Sequence, residues 1–202
     1  MIAYASRTGT KRNLDALWAA KWRLIISAKG VLNDEGFPHA LDNGAWWSFV
    51  NKQPFDERAF LVAYELFGIT ADFFVLPDIV AGGYDSLAFS LHWLRRLGSP
   101  RSLPLLAVQD GMSFARVDRL VGPNLGIFVG GTTEWKERTM LTWGKVARNR
   151  RAYLHVGRVN TARRIALCGR AGANSFDGSS VSRFVVNLPK LEAARRRACS
   201  TS

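Results

Sequence analysis

Short apolar runs alternate with amphipathic stretches along nearly the whole chain. The apolar runs fall at residues 1–5 (MIAYA), 22–27 (WRLIIS), 71–76 (ADFFVL), 103–108 (LPLLAV) and 125–129 (LGIFV). Shorter ones fall at 40–42 (ALD), 151–156 (RAYLHV) and 173–176 (ANSF). Runs of this length bounded by Gly, Pro, Asn or Asp read as buried strands. Between them lie stretches with helical spacing. Residues 12–21 put Leu14, Leu17 and Trp18 on one face, and 56–67 begin at Asp56, a capping residue. Residues 85–97 end at Gly98 and Pro100, and 113–121 stop at Gly122-Pro123. Residues 133–148 and 161–168 complete the set, and the chain closes on a basic helix. Residues 29–38 read as loop, and Asn43-Gly44 breaks the third strand.

Eight strands, most of them followed by a helix, predict a parallel sheet. Eight such units predict an α/β fold, a compact (β/α)8 barrel of the TIM type occupying residues 1–202 as one domain. An open doubly wound sheet is the alternative. No Gly-x-Gly-x-x-Gly follows the first strand and no P-loop lysine motif occurs, so no nucleotide cofactor is expected.

Polar residues that carry chemistry cluster where these strands stop: Asp42, Asp78, Gln109, Gly130-Gly131, His155 and Asp177. In a barrel those ends share one mouth. Any one of the aspartates can be a turn or capping residue; Asp177, followed by Gly178, Ser179 and Ser180, sits before a helix that either serine can cap. Repetition at strand ends is what points to a site. Two carboxylates suit glycosidic chemistry, one attacking an anomeric carbon and the other managing the leaving group's proton. A third carboxylate with an amide and a bare glycine N–H suits a guanine-like base: the carboxylate accepting from N1–H and the 2-amino group, Gln109 and Gly131 N–H donating to O6. Trp46 is placed to stack on that base. Trp46 and Trp47, being adjacent, face apart, leaving one for the core. His39 and His92 have no metal-ligand spacing.

The 202 residues are 48% hydrophobic, enough for a sizeable core. No apolar run reaches membrane-spanning length, the first residues lack a signal-peptide pattern, and Cys168 and Cys199 are expected as free thiols. The expected location is cytoplasmic, with no metal and no membrane partner. Charge changes the picture more. Residues 1–100 carry ten Lys/Arg and ten Asp/Glu, whereas 101–202 carry eighteen and six, the whole of the net +12. The clusters are Arg148, Arg150 and Arg151; Arg158, Arg163 and Arg164; and Arg195, Arg196 and Arg197. Such asymmetry predicts a basic face for nucleic acid, with a solvated basic surface as the plain alternative.

Taken in order, the strand-end motifs resemble a family. DNGAW at 42–46, LPD at 76–78, VQDG at 108–111, VGGTTE at 129–134, YLHVG at 153–157 and SFDGSSVSR at 175–183 are similar to motifs of the tRNA-guanine transglycosylases. Within that superfamily they resemble the phage and bacterial enzymes that insert 7-deazaguanines into DNA. The resemblance implies a barrel, Asp177 as nucleophile, Asp42 as general base and Asp78 as base reader. It also implies Gln109, Gly130 and Gly131 at the base, His155 packed against it, and Arg183 with the other arginines on nucleic acid. The implied reaction exchanges guanine in DNA for a free 7-deazaguanine such as the 7-cyano base, with no cofactor. The family's cysteine-histidine zinc subdomain has no counterpart here, which favours DNA over tRNA. Exchange on tRNA and a non-catalytic nucleic-acid-binding barrel are the rival expectations.

Overall fold

The computed structural model describes residues 1–200. Eight parallel strands close into a barrel in sequence order. They are β1 (Ile2–Ser6), β2 (Arg23–Ser27), β3 (His39–Asp42), β4 (Phe73–Val75), β5 (Leu103–Val108), β6 (Gly126–Val129), β7 (Leu154–Val156) and β8 (Ser175–Gly178). The barrel closes through β1 against β8, with Tyr4 opposite Asp177. The helices are α1 (Lys11–Ala19), α2 (Ala45–Val50), α3 (Glu57–Ala63), α4 (Gly83–Leu97), α5 (Phe114–Asp118), α6 (Thr133–Arg150), α7 (Ala162–Ala171), α8 (Ser180–Arg183) and α9 (Leu188–Ser200). The (β/α)8 barrel read from the alternation is therefore present, and the open sheet is not.

Two apolar layers hold it. Outward strand residues such as Leu24, Leu41, Phe74, Leu106, Ile127 and Phe176 pack against the helix ring. Inward residues Ile25, Ala40, Phe73, Val75, Leu105 and Ala107 fill the lumen on the β2–β5 side. The β7–β8–β1 side of the lumen is different. There Tyr153, Ser175, His155 and Asp177 form a hydrogen-bonded polar column, with Tyr4 beside it bonded to Asp72. Where α6 meets α7 a side chain is excluded: a Cβ on Gly144 would collide with the Ala171 carbonyl.

Two features were illegible in the pattern. Helix α2 (AWWSFV) leaves Trp46, Trp47, Phe49 and Val50 exposed, so it has no apolar-polar alternation to read. Neither tryptophan is in the core, contrary to the expectation for one of them. The predicted 56–67 helix is α-helical only to Ala63 and then widens to a π-helical turn at Tyr64–Gly68. At the other end of the chain, β8 runs on through Asp177, which was expected just past the strand, and Ser179 precedes α8 without a side-chain cap.

The basic residues have a structural explanation in part. The helices return from the mouth to the opposite end of the barrel, and the last turns of α4, α5, α6, α7 and α9 all carry arginine. Cations there offset the negative ends of the helix dipoles. No described helix is long and apolar enough to cross a membrane.

Candidate active site

At the C-terminal ends of the strands lies a cavity of about 870 Å³. Asp42, Asp78 and Asp177 all line it, from the ends of β3 and β8 and the loop after β4. Ser27, Val75, Ala107 and Phe128 form much of its floor, and Arg7, Arg158 and Arg183 stand with Trp46 and Phe49 around it. The order of strands thus gathers carboxylates far apart in sequence, with Asp42 electrostatically coupled to both of the others.

Burial first, and then the neighbouring Asp177, push the Asp42 carboxyl up to about 6, against the Ser27 hydroxyl, the Gly44 N–H and Arg158. Asp78 is likewise raised to about 6 by burial, against a hydrogen bond from Asn43 and with Asp42 adding to the rise. Each keeps an edge toward the cavity, where water moderates the effect. Asn43, which the sequence marked only as part of a turn, is the brace. Its Nδ2 donates to Asp78 Oδ1 at 2.8 Å and to the Leu76 carbonyl at 2.7 Å, and its Oδ1 accepts from Ala45 N–H at 2.8 Å.

Asp177 receives two donors. The Arg158 backbone N–H lies 3.2 Å from Oδ1, and His155 Nε2 lies 3.0 Å from Oδ2. Arg158 adopts the left-handed conformation at φ +57°, costly for a residue with a side chain. Its guanidinium donates to the Gly131 carbonyl at 2.5 Å and lies 4.1 Å from the centre of the Trp46 ring. Behind the site, buried Lys136 donates to the Gly157 carbonyl; burial pulls its ammonium down to about 8.

Several expectations need correction. Gln109 lines the cavity, but its amide is committed elsewhere: Nε2 donates to the Ile79 carbonyl at 2.8 Å and Ser86 Oγ at 2.7 Å, and Oε1 accepts from Ala81 N–H at 2.6 Å. It fixes the loop after β4 and has no N–H left for a ligand. His155 is wholly buried beneath Phe128, whose ring stacks on it at 5.0 Å, so it does not pack against a base. Trp46 reaches the cavity, but the Arg158 guanidinium covers one face of its ring and Phe49 lies 5.7 Å away. Gly131, at φ +72°, lines the cavity, and its N–H makes no hydrogen bond among the described residues. The Gly130 N–H is spent on the Val108 carbonyl at 2.9 Å.

The arginine clusters divide. Arg158 and Arg183 are at the mouth, joined by Arg7, which the sequence did not single out and which pairs with Glu35. Arg163 and Arg164 both pair with Glu137 on the helix ring. Arg195 pairs with Glu192 and donates to the Met1 carbonyl at 2.9 Å, placing the 195–197 cluster at the end of the barrel away from the cavity. Arg196 shares Glu192. Arg148 and Arg150 lie at that same end, at the close of α6.

The fold and site together define a small (β/α)8 barrel with a cavity at its C-terminal mouth lined by four carboxylates, Asp42, Asp78, Asp110 and Asp177. No protein-family model and no curated protein matches the sequence. Solved structures do match in fold. Tryptophan synthase from M. tuberculosis aligns over 98% of this chain and 90% of its own, at 14% identity and TM-score 0.52. 3-Hexulose-6-phosphate synthase from Salmonella typhimurium aligns over 98% and 100%, at 10% identity and TM-score 0.55. RipC from Yersinia pestis aligns over 95% and 94%, at 12% identity and TM-score 0.56. At these identities the likeness establishes the barrel and nothing about chemistry.

Proposed function

We propose that this chain is an enzyme, a pentosyltransferase that exchanges guanine in DNA for a free 7-deazaguanine, the 7-cyano base or a derivative. One observation carries the reading: Asp42, Asp78 and Asp177 share one cavity, the first two with raised pKa values and Asp177 held by two N–H donors, while the fourth carboxylate of the lining, Asp110, accepts from the Thr132 N–H and hydroxyl. A pair of carboxyl groups in different protonation states is what a double displacement at an anomeric carbon needs. Asp177 attacks C1′ as its carboxylate. The C1′–N9 bond breaks with its electron pair going to the leaving guanine, and Asp42 supplies the proton. The incoming base then returns a proton to Asp42 as its N9 attacks C1′ and the ester to Asp177 breaks. The exchange is redox-neutral and balanced.

Asp78 reads the base by accepting from N1–H and the 2-amino group, with the free Gly131 N–H on O6. Gln109 contributes only by shaping the loop, which is a smaller recognition set than the motif implies. A target nucleotide must leave the base stack to enter. Arg7, Arg158 and Arg183 line the mouth, and in this reading they meet its flanking phosphates. The test supplies labelled 7-cyano-7-deazaguanine with either DNA or tRNA and measures incorporation. Label in DNA supports the reading; label in tRNA alone moves the substrate to tRNA; binding of both with no label in either supports the non-catalytic barrel.

A further inference from the structure

The polar column inside the lumen has no role in the exchange as written, yet it ends on Asp177. From the mouth inward, His155 Nε2 meets Asp177 Oδ2 at 3.0 Å, and His155 Nδ1 meets Ser175 Oγ at 2.7 Å. Ser175 Oγ accepts from the Tyr153 hydroxyl at 2.9 Å, and Tyr153 is electrostatically coupled to Tyr4. Tyr4 donates to Asp72 Oδ2 at 2.8 Å, and Asp72 Oδ1 accepts from Arg23 at 2.6 Å at the far end of the barrel. With Tyr4 and Asp72, the column therefore runs the length of the lumen between two aspartates.

Proton counting fixes its polarity. Each hydroxyl has one proton to give. Tyr4 gives its proton to Asp72, which Arg23 also holds. At the other end, an Asp177 carboxylate can only accept, so His155 must carry its proton on Nε2. Nδ1 is then an acceptor, which requires the Ser175 proton, and Ser175 in turn accepts from Tyr153. The two halves abut at Tyr4 and Tyr153, whose protons are both spent away from the join, so neither donates a hydrogen bond to the other.

We propose that Ser175 and Tyr153 lock His155 as the neutral Nε2–H tautomer, making His155 a positioning residue that aims Asp177 Oδ2. This deepens the reading of Asp177 as a nucleophile and rests on it for its purpose, though not for its measurement. The surroundings agree. His155 is enclosed by Tyr4, Phe73 and Phe128, with only Ser175 and Asp177 in hydrogen-bond reach among the described residues. Burial lowers its pKa and outweighs the hydrogen bond and charge of Asp177, which raise it, with the Lys136 charge adding to the lowering. An imidazole so placed can orient a carboxylate as second-sphere groups orient metal ligands.

The decisive measurement is a long-range ¹H–¹⁵N correlation spectrum of the histidine rings. The chain has three histidines, so His155→Gln assigns the signal. The expected spectrum shows His155 as the Nε2–H tautomer, unchanged between about pH 7 and pH 8, with any protonation displaced below the ordinary imidazole value of about 6.5. Ser175→Ala removes the donor to Nδ1 and is expected to admit the other tautomer. It is also expected to lower single-turnover exchange about two- to tenfold with KM little changed, the loss expected for a hydrogen bond between neutral groups. An Nδ1–H tautomer, or a titration in that range, overturns the proposal. So does a Ser175→Ala spectrum identical to the parent's. Absence of exchange activity in every variant, with the tautomer as expected, leaves the lock standing and instead refutes the transglycosylase reading.

Discussion

Asp42→Asn is expected to stabilise the fold at pH 8 while destroying whatever the cavity does. The folded protein holds the Asp42 carboxyl at about 6 against an ordinary 3.8. Once ionised, such a group costs the folded state up to ~3 kcal/mol, at about 1.4 kcal/mol per pH unit. Water at the cavity edge reduces this, so ~1–2 kcal/mol is the working figure. The sign follows from proton binding. Between about pH 4 and pH 6 the folded chain holds more proton at this site than the unfolded chain, so stability falls as pH rises through that window. Below it, the carboxyl is neutral in both states and the penalty vanishes. The amide keeps an oxygen for the Gly44 N–H and removes the repulsion with Asp177 and Asp78. For a chain of this size the gain corresponds to roughly 2–8 °C in Tm. Urea denaturation at pH 4.5 and pH 8 provides the assay. The Asp42→Asn advantage should be largest at pH 8 and shrink at pH 4.5. Equal advantage at both pH values, or a less stable variant at pH 8, would refute the idea that a buried carboxylate is held at a cost in this site.

Two other predictions test the charges. Replacing Arg7, Arg158 and Arg183 with Gln should flatten the dependence of DNA affinity on salt, by about 0.9 in log–log slope for each phosphate no longer neutralised, whereas replacing Arg195, Arg196 and Arg197 should leave the slope unchanged; fluorescence anisotropy between low and moderate salt measures both. Glu192 behaves oppositely to Asp42: burial alone would raise its pKa, but Arg195, Arg196 and Trp22 outweigh burial and hold it down at about 2. Its contribution is therefore present above about pH 4.5 and is lost as pH falls through 2, so Glu192→Gln should cost roughly 2 kcal/mol at pH 7 and progressively less in acid, read from denaturant midpoints.

How much was legible depended on what each feature needs from its surroundings. The barrel was legible because short apolar runs must be buried on both faces, and a helix fits between consecutive runs everywhere except across the 29–38 loop. The convergence of Asp42, Asp78 and Asp177 followed from the same regularity, since all strand ends of a parallel barrel meet at one mouth. What failed was anything decided by partners. Gln109 sits at a strand end like the aspartates, but its amide is consumed by the 79–81 loop, which no local pattern announces. His155 alternates inward correctly, yet Phe128 from the neighbouring strand covers it. The terminal arginines read as one basic track with the others until the helix direction carried them to the opposite end. Arg7 was passed over because one arginine after a strand carries no pattern of its own.

The most direct test of glycosyl transfer is to trap its intermediate. The protein is mixed with a guanine-containing oligonucleotide in the absence of any incoming base, quenched by denaturation, digested and examined by mass spectrometry. The expected result is a peptide containing Asp177 that carries the oligonucleotide minus guanine, with free guanine released in equal amount and neither product formed by Asp177→Asn. Release of guanine with the adduct on another residue would reassign the nucleophile. Absence of both adduct and free guanine, with the oligonucleotide bound, would contradict the central claim.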